Sequence, residues 1–447
     1  LLMDNHPAWA VLDLALLRGR KLCVPLPPFF SPAQLRHGIT DAGLDTLITD
    51  QPGRLAELCG RQPQQTIQVA GRDLTLFRLG PQTRRDLSPG LVKVTYTSGT
   101  TGSPKGVCLS WAAIQPVVDA LAAAGEVNQR DIALALLPLS TLLENIGSLY
   151  VPLQAGALAA LPSLAETGLR GAAGLDPQRL LDCLGRYRPS GLILIPQLLQ
   201  VLVEAGEGGL SLPQSLRFAA VGGAPVAPRL LARAAALDLP VYQGYGLSEA
   251  ASVVTLNRPG RNRRGSVGRP LPHLRLRIAA DGEVLVAGSL FSGYLGEPGA
   301  DPDGRPLEEW ATGDLGYLDP DGYLYLTGRK RQVFITSFGR NVAPEWVECE
   351  LQAQSAIAQS AVFGEARPFN VAVIVPRPGC TPAAVERAVA AANAGLPDYA
   401  RIRRYLLAAQ SFSITNGMLT GTGRVRREQV GQQYRQAFEA LYCEETS

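Results

Sequence analysis

Apolar and polar positions follow two successive patterns along this chain. Up to about residue 255, short runs rich in Val, Ile and Leu alternate with stretches of helical spacing. Lys21–Pro25 precedes Pro32–Ala42, Leu192–Ile195 precedes Leu198–Ala205, and Phe218–Val221 precedes Pro228–Leu237, with a further strand-like run at Asp45–Thr49. Strand then helix, repeated, predicts parallel sheets covered by helices. Beyond that point Leu274–Ile278 and Glu283–Val286 flank Asp281-Gly282, a strong hairpin signal, and Asp321-Gly322 repeats it within Gly316–Arg329. Pro298–Pro306 reads as a surface loop, Pro382–Ala394 as an Ala-rich helix, and Asn416–Arg427 as a glycine-rich basic loop before a last helix. The pattern predicts an α/β fold. A large N-terminal domain, residues 1–328, would hold parallel and mixed sheets with helices and a small β-rich subdomain at about 256–328. A small α+β C-terminal domain, residues 329–447, would follow a hinge at 329–332 in the glycine-flanked basic junction Gly328–Arg331. Leu1-Leu2-Met3 resembles the end of a buried strand, so the start is expected to be truncated.

Composition narrows the partners. A chain of 447 residues with 46% hydrophobic positions can bury more than one core. Its 42 Lys+Arg against 39 Asp+Glu leave +3 without long single-sign runs, which points to small molecules rather than nucleic acid or an anionic membrane. Seven scattered cysteines without CxxC spacing argue against disulfides or zinc and for a reducing, cytoplasmic setting. The apolar stretch Ala8–Leu17 is interrupted by Asp13 and is too short to span a bilayer, so no transmembrane segment is expected; peripheral membrane contact stays open. His6, His37 and His273 are isolated and read as structural.

The densest chemistry lies in Tyr96-Thr97-Ser98-Gly99-Thr100-Thr101-Gly102-Ser103-Pro104-Lys105-Gly106. Glycines let backbone amides converge on an anion, Ser and Thr hydroxyls add donors, and Lys105 brings a compact charge suited to a polyphosphate. A solvated Ser/Thr/Gly turn is the plainer reading, and the Walker spacing is absent. Gly222-Gly223-Ala224-Pro225 follows the apolar run Phe218–Val221, where ligands dock in open α/β sheets. Tyr245-Gly246-Leu247-Ser248-Glu249 sets an aromatic ring beside a hydroxyl and a carboxylate able to hold Mg2+. A carboxylate such as Asp314 in Thr312-Gly313-Asp314 can accept both hydrogen bonds of a ribose diol, although an Asp turn is equally ordinary.

In these segments, taken in order, the chain resembles the adenylate-forming superfamily of acyl-CoA synthetases, nonribosomal adenylation domains and luciferases. Its motifs lie closest to those of long-chain fatty acyl-CoA synthetases. The resemblance implies an AMP-forming acid–thiol ligase that uses ATP and Mg2+, with CoA as co-substrate. Thr97, Ser98, Gly99, Thr100, Thr101, Gly102 and Lys105 would hold the phosphates, and Gly223, Ala224 and Pro225 would border the adenine and acyl pocket. Tyr245 and Gly246 would lie against adenine, Ser248 near the α-phosphate, and Glu249 on Mg2+. Asp314 would take the ribose, assisted by Arg329. A mobile C-terminal domain would rotate about Arg331 between adenylation and thioester formation, with Gly339 near the incoming thiol.

The chain departs from the family at Arg424, where a lysine normally contacts the carboxylate and α-phosphate. Arginine keeps the charge but changes size and shape. In Leu137–Asn145, Thr141 and Asn145 replace the histidine and arginine of the long-chain enzymes, and Leu149, Val151, Ile195, Leu198 and Leu199 are apolar enough for an acyl tunnel or simply for core. A medium- or long-chain fatty acid is the expected substrate. The competing expectations are an acyl-AMP ligase that loads an acyl carrier protein and a catalytically weak nucleotide or acyl-adenylate binder.

Overall fold

The computed structural model describes residues 1–80, 90–97, 104–170, 174–210, 212–297, 308–420 and 423–443. Helix α1 (Pro7–Arg18) opens with proline, whose missing N–H costs nothing at a first turn, and His6 caps it through Ala8 N–H. Helices α2 (Pro32–Asp41) and α3 (Pro52–Cys59) surround a small antiparallel sheet of β1 (Thr46–Thr49), β2 (Gln65–Val69) and β3 (Arg72–Arg78). Strands β4 (Leu91–Thr97) and β5 (Lys105–Ser110) pair antiparallel on either side of residues 98–103. Helix α4 (Trp111–Ala124) leaves β5 directly, with Ser110 Oγ accepting Ala113 N–H at 3.2 Å.

The main sheet is built from β6 (Ile132–Leu134), β7 (Leu158–Ala160), β10 (Gly191–Leu194), β11 (Phe218–Val221), β12 (Val241–Tyr245), β13 (Thr255–Leu256) and β14 (Arg269–Pro270), after a two-residue pair β8 (Leu169–Arg170) and β9 (Gly174–Leu175). Its order is β14-β13-β12-β11-β10-β6-β7; β7, β6, β10, β11 and β12 run parallel, and β13 and β14 add an antiparallel edge. One face packs Leu192, Leu194 and Ala219 against Leu198 and Leu202 of α8 (Pro196–Glu207) and Leu230 of α9 (Pro228–Ala236). The other turns Phe218 and Ala220 toward α4 and the π-helical turn Ile146–Tyr150. That turn joins two short helices, α5 (Leu142–Asn145) and α6 (Val151–Gln154), and α7 (Pro177–Tyr187) precedes β10.

A four-stranded antiparallel sheet follows: β15 (Leu274–Ile278), β16 (Glu283–Gly288), β17 (Trp310–Leu318) and β18 (Leu324–Arg329). Both Asp-Gly pairs sit at its turns, as their spacing predicted. Past Arg329 come a short hairpin, β19 (Phe334–Ile335) with β20 (Asn341–Val342), helix α10 (Pro344–Gln352) and a sheet of β21 (Ile357–Phe363), β22 (Asn370–Pro376) and β23 (Ile402–Leu407). Helices α11 (Pro382–Ala394), α12 (Arg427–Gln433) and α13 (Arg435–Cys443) complete a unit with its own apolar clusters.

The structure corrects one predicted strand. Lys21–Pro25 contributes a single bridge, Cys23 to Lys93, because Pro25, Pro27 and Pro28 supply no N–H to lengthen a ladder. The loop expected at Pro298–Pro306 lies outside the described residues. Among the described residues no helix is long and apolar enough to cross a membrane.

Candidate active site

The parallel strands end at one deep cleft of about 3360 Å3, bordered by the main sheet, the four-stranded sheet and the C-terminal unit. Thr97 and Lys105, at the facing ends of β4 and β5, reach its wall. Ser98, Gly99, Thr100, Thr101 and Gly102 lie outside the described residues. Lys105 Nζ meets Glu297 Oε1 at 2.8 Å and stands 4.6 Å from the centroid of the Tyr294 ring. Tyr294 Oη in turn donates to Glu249 Oε1 at 2.7 Å. Burial, reinforced by the Glu249 charge, raises the Tyr294 pKa, so the phenol stays a donor. One tyrosine therefore couples the cation and the carboxylate that the sequence singled out separately.

Gly223, Ala224 and Pro225 line the cleft just past the end of β11, with Gly223 at φ +79, a conformation glycine adopts without cost. On the adjacent strand end Tyr245 closes β12, and Gly246, Ser248 and Glu249 follow it. The turn is tightly wound: a Cβ on Gly246 would stand 1.7 Å from Ser252 O, and Ala251 and Ser252 hold φ of 51 and 99. Positive φ in consecutive side-chain-bearing residues stores strain of the kind that collects at functional turns.

Asp314, on β17, is buried with both oxygens occupied: Tyr245 Oη donates to Oδ2 at 2.7 Å and Arg329 Nε donates to Oδ1 at 2.7 Å. Burial and then the Asp314 charge push the Tyr245 pKa well up. For Arg329 burial works against the charge, but Asp314 prevails and its pKa rises. Thr312 Oγ1 accepts the Asp314 N–H at 3.1 Å, fixing the turn that aims the carboxylate.

The C-terminal loop crosses the cleft mouth. Arg424 Nη2 donates to Gly223 O at 3.3 Å, bringing together residues 201 apart in sequence. Crowding by the cleft walls, and then Arg329, lowers the Arg424 pKa, while Glu345 and Asp314 pull the other way; the residue is still exposed, and a guanidinium keeps its charge regardless. Arg427 Nη2 donates to both carboxylate oxygens of buried Glu348, at 2.6 and 2.7 Å, and anchors the loop to α10. Further ties between this unit and the rest are Arg377 to Glu204 at 3.0 Å, Arg229 to Gln354 at 3.2 Å and Cys349 Sγ to Pro225 O at 3.3 Å. Gly339, in the β19–β20 turn at φ +71, has nothing within 4 Å of where its Cβ would be and does not line the cleft.

Every described residue expected at the nucleotide thus borders one cavity. Sequence reasoning missed Tyr294, Glu297 and Glu345, which no local motif marks. It also gathered more residues for the acyl wall than the cleft contains. Thr141, Val151 and Ile195 line it, whereas Leu149, Leu198 and Leu199 are buried in the core. Asn145 belongs to a buried knot in which Lys93 Nζ donates to its amide oxygen, to Asp13 at 2.9 Å and to Tyr150 at 2.8 Å.

Comparison with known proteins follows the same lines. Residues 1–295 match the family model described as AMP-binding enzyme, and residues 331–446 match the AMP-binding enzyme C-terminal domain. Long-chain-fatty-acid–CoA ligase FadD15 of Mycobacterium bovis is 27% identical, over 98% of this chain and 86% of its own. An anthranilate CoA ligase bound to anthranoyl-AMP superposes with TM-score 0.78 at 19% identity, covering 98% and 87% of the two chains. The o-succinylbenzoate CoA synthetase of Bacillus subtilis, solved with ATP and magnesium, gives 0.71 at 21% identity over 96% and 88%. At these identities the two solved structures speak to the fold.

Proposed function

The chain belongs to the AMP-binding enzyme family, as an adenylate-forming acid–thiol ligase, and on that premise we propose that its acid is a medium- or long-chain fatty acid, activated as acyl-AMP and passed to the thiol of CoA. The observation that carries the choice of acid is the depth of the cleft. Its lining extends past Gly223 to Ala220 and Phe218 of the sheet, Gly147 and Ser148 of the π-helical turn, and Leu121 and Val127. A space of that length suits an alkyl chain better than a single aromatic ring, and the fatty-acid ligase relative supports the same reading.

The substrate carboxylate would attack the α-phosphorus of ATP, with pyrophosphate leaving; the CoA thiol would then attack the acyl carbon, with AMP leaving. Positioning and charge neutralisation supply most of such catalysis. Lys105 would meet the leaving phosphates once released from Glu297, and Ser248 would donate toward the α-phosphate. Asp314, whose two oxygens Tyr245 and Arg329 occupy, would take a ribose diol by exchanging those donors, and Gly223 to Pro225 would border the adenine. Arg424 would place its charge over the reacting carboxylate and phosphate. Among the described residues no cluster of three or more His, Cys, Asp and Glu forms a metal cage. That fits Mg2+, which commonly uses one or two carboxylates plus substrate phosphates; here Glu249 would hold it. Bound there, Mg2+ would neutralise charge on the phosphate oxygens. The domain boundary is proposed at 328/329 with the hinge at Arg331, where Gln332 and Val333 N–H both turn back to Arg329 O at 2.9 Å. Rotation there would exchange Arg424 for Gly339 at the cleft before thioester formation.

Pyrophosphate release with Mg·ATP and fatty acids of graded length, with and without CoA, read by mass spectrometry, tests this reading. Acyl-CoA is the expected product. Acyl-AMP that accumulates with CoA present and disappears only on adding a carrier protein would replace CoA as acceptor, and absence of pyrophosphate release with every fatty acid would remove the proposed substrate.

A further inference from the structure

We propose that Arg217 is the end-stop of the acyl channel and sets the longest chain accepted; the inference rests on the fatty-acid reading above. The channel's sheet wall follows from strand register. Ala133, Gly191 and Phe218 are paired neighbours on β6, β10 and β11, and Ile193 pairs with Ala220 one pleat nearer the nucleotide end. All five border the cleft. Small residues at three of these positions leave space between the sheet and α4 that larger side chains would fill. From Phe218 to Gly223 the wall is about 16 Å long at strand rise.

At the strand end remote from Gly223, Arg217 borders the cleft. Its Nη1 donates to Gly125 O at 2.6 Å, Nη2 to Glu126 O at 3.1 Å, and Nε to Asp131 Oδ1 at 2.7 Å, while Nη2 also meets Asp131 Oδ2. Asp131 is itself fixed, taking Ser190 Oγ at 2.7 Å and Asn128 N–H at 2.8 Å. The clamp therefore ties the end of α4, the loop before β6 and the start of β11. Arg217 lines the cleft and its side chain is 36% exposed, which in this proposal puts it between the acyl chain and solvent. A methyl terminus arriving there meets a hydrogen-bonded ion pair instead of apolar surface, and advancing further means breaking that pair without replacing its hydrogen bonds.

The test compares kcat/KM across saturated fatty acids from short to very long for the wild type, Arg217→Ala and Val127→Phe, with melting temperatures recorded for each. Removing the clamp should raise the ratio of very-long to medium-chain kcat/KM by about tenfold or more, the discrimination ordinarily available from a methylene or two. Bulk added at Val127, just inside the clamp, should lower the same ratio, and this arm holds even where Arg217→Ala fails to fold. Unchanged ratios in the folded variants, with the wild type active on fatty acids, would overturn the end-stop and leave the proposed function standing. A wild type that activates other acids but no fatty acid would overturn both.

Discussion

Arg424 is the residue on which the proposed mechanism turns, because it is a C-terminal cation bonded to the proposed nucleotide segment, at Gly223 O. Losing a charge aimed at a developing anion commonly costs 10²- to 10³-fold in rate. Arg424→Ala should therefore slow pyrophosphate release on the order of 10²- to 10³-fold, while transfer from supplied acyl-AMP to CoA stays near the wild-type rate. Stopped-flow measurement of the two half-reactions separates these effects, and equal loss in both would deny Arg424 a specific place in adenylation. Glu144 makes a different prediction. It is fully buried on α5, neither carboxylate oxygen has a partner within full hydrogen-bond geometry, and burial raises its pKa to about 8 against the weaker pull of Ser148 and the Leu136 and Leu137 backbone nearby. Between the ordinary carboxylate value of 4.5 and about 8 the folded protein holds a proton that the unfolded chain has released. Stability should fall as pH rises through that window, by at most about 1.4 kcal/mol per unit, and level off above it. Glu144→Gln, permanently neutral, should lose this dependence, so its melting temperature relative to wild type should climb from pH 5 to pH 8.

At the scale of elements, the sequence was readable wherever one segment carries its own reason for its shape. Phe218–Val221 and Pro382–Ala394 occur with the predicted bounds, since apolar periodicity and a flanking proline are local. The Asp-Gly turns are local too. The π-helical turn is not, because it is held by the knot of Lys93, Asp13, Asn145 and Tyr150, whose members lie up to 137 positions apart. In that knot burial favours a neutral Asp13, yet Lys93 and Tyr150 outweigh it and lower its pKa. Asn145, read from sequence only as a replacement for the arginine of the long-chain enzymes, has partners in this knot that no local pattern marks. The candidate site divides likewise. Contiguous motifs gave Lys105, Tyr245, Glu249 and Asp314, whereas Tyr294 and Glu297 join only by folding back across 45 and 192 residues. The strained turn after β12 makes the element-scale prediction. Gly246→Ala would force the Ser252 carbonyl aside and should cost about 4 kcal/mol or more, read as a large drop in melting temperature or loss of soluble protein.

Across the whole molecule, the C-terminal unit sits with its basic loop over the cleft and its β19–β20 turn outside it, an arrangement suited to the adenylation half of the proposed cycle. Pairs such as Arg377 with Glu204 are half-exposed, so they hold this arrangement weakly enough for it to be exchanged. In the proposed adenylation step the acid's own oxygen attacks the α-phosphorus. Supplying a fatty acid labelled with 18O in its carboxylate, together with Mg·ATP and CoA, and weighing the products by mass spectrometry tests it most directly. One labelled oxygen in AMP and none in pyrophosphate is the expected result; label appearing in inorganic phosphate, with ADP as the nucleotide product, would contradict attack at the α-phosphorus.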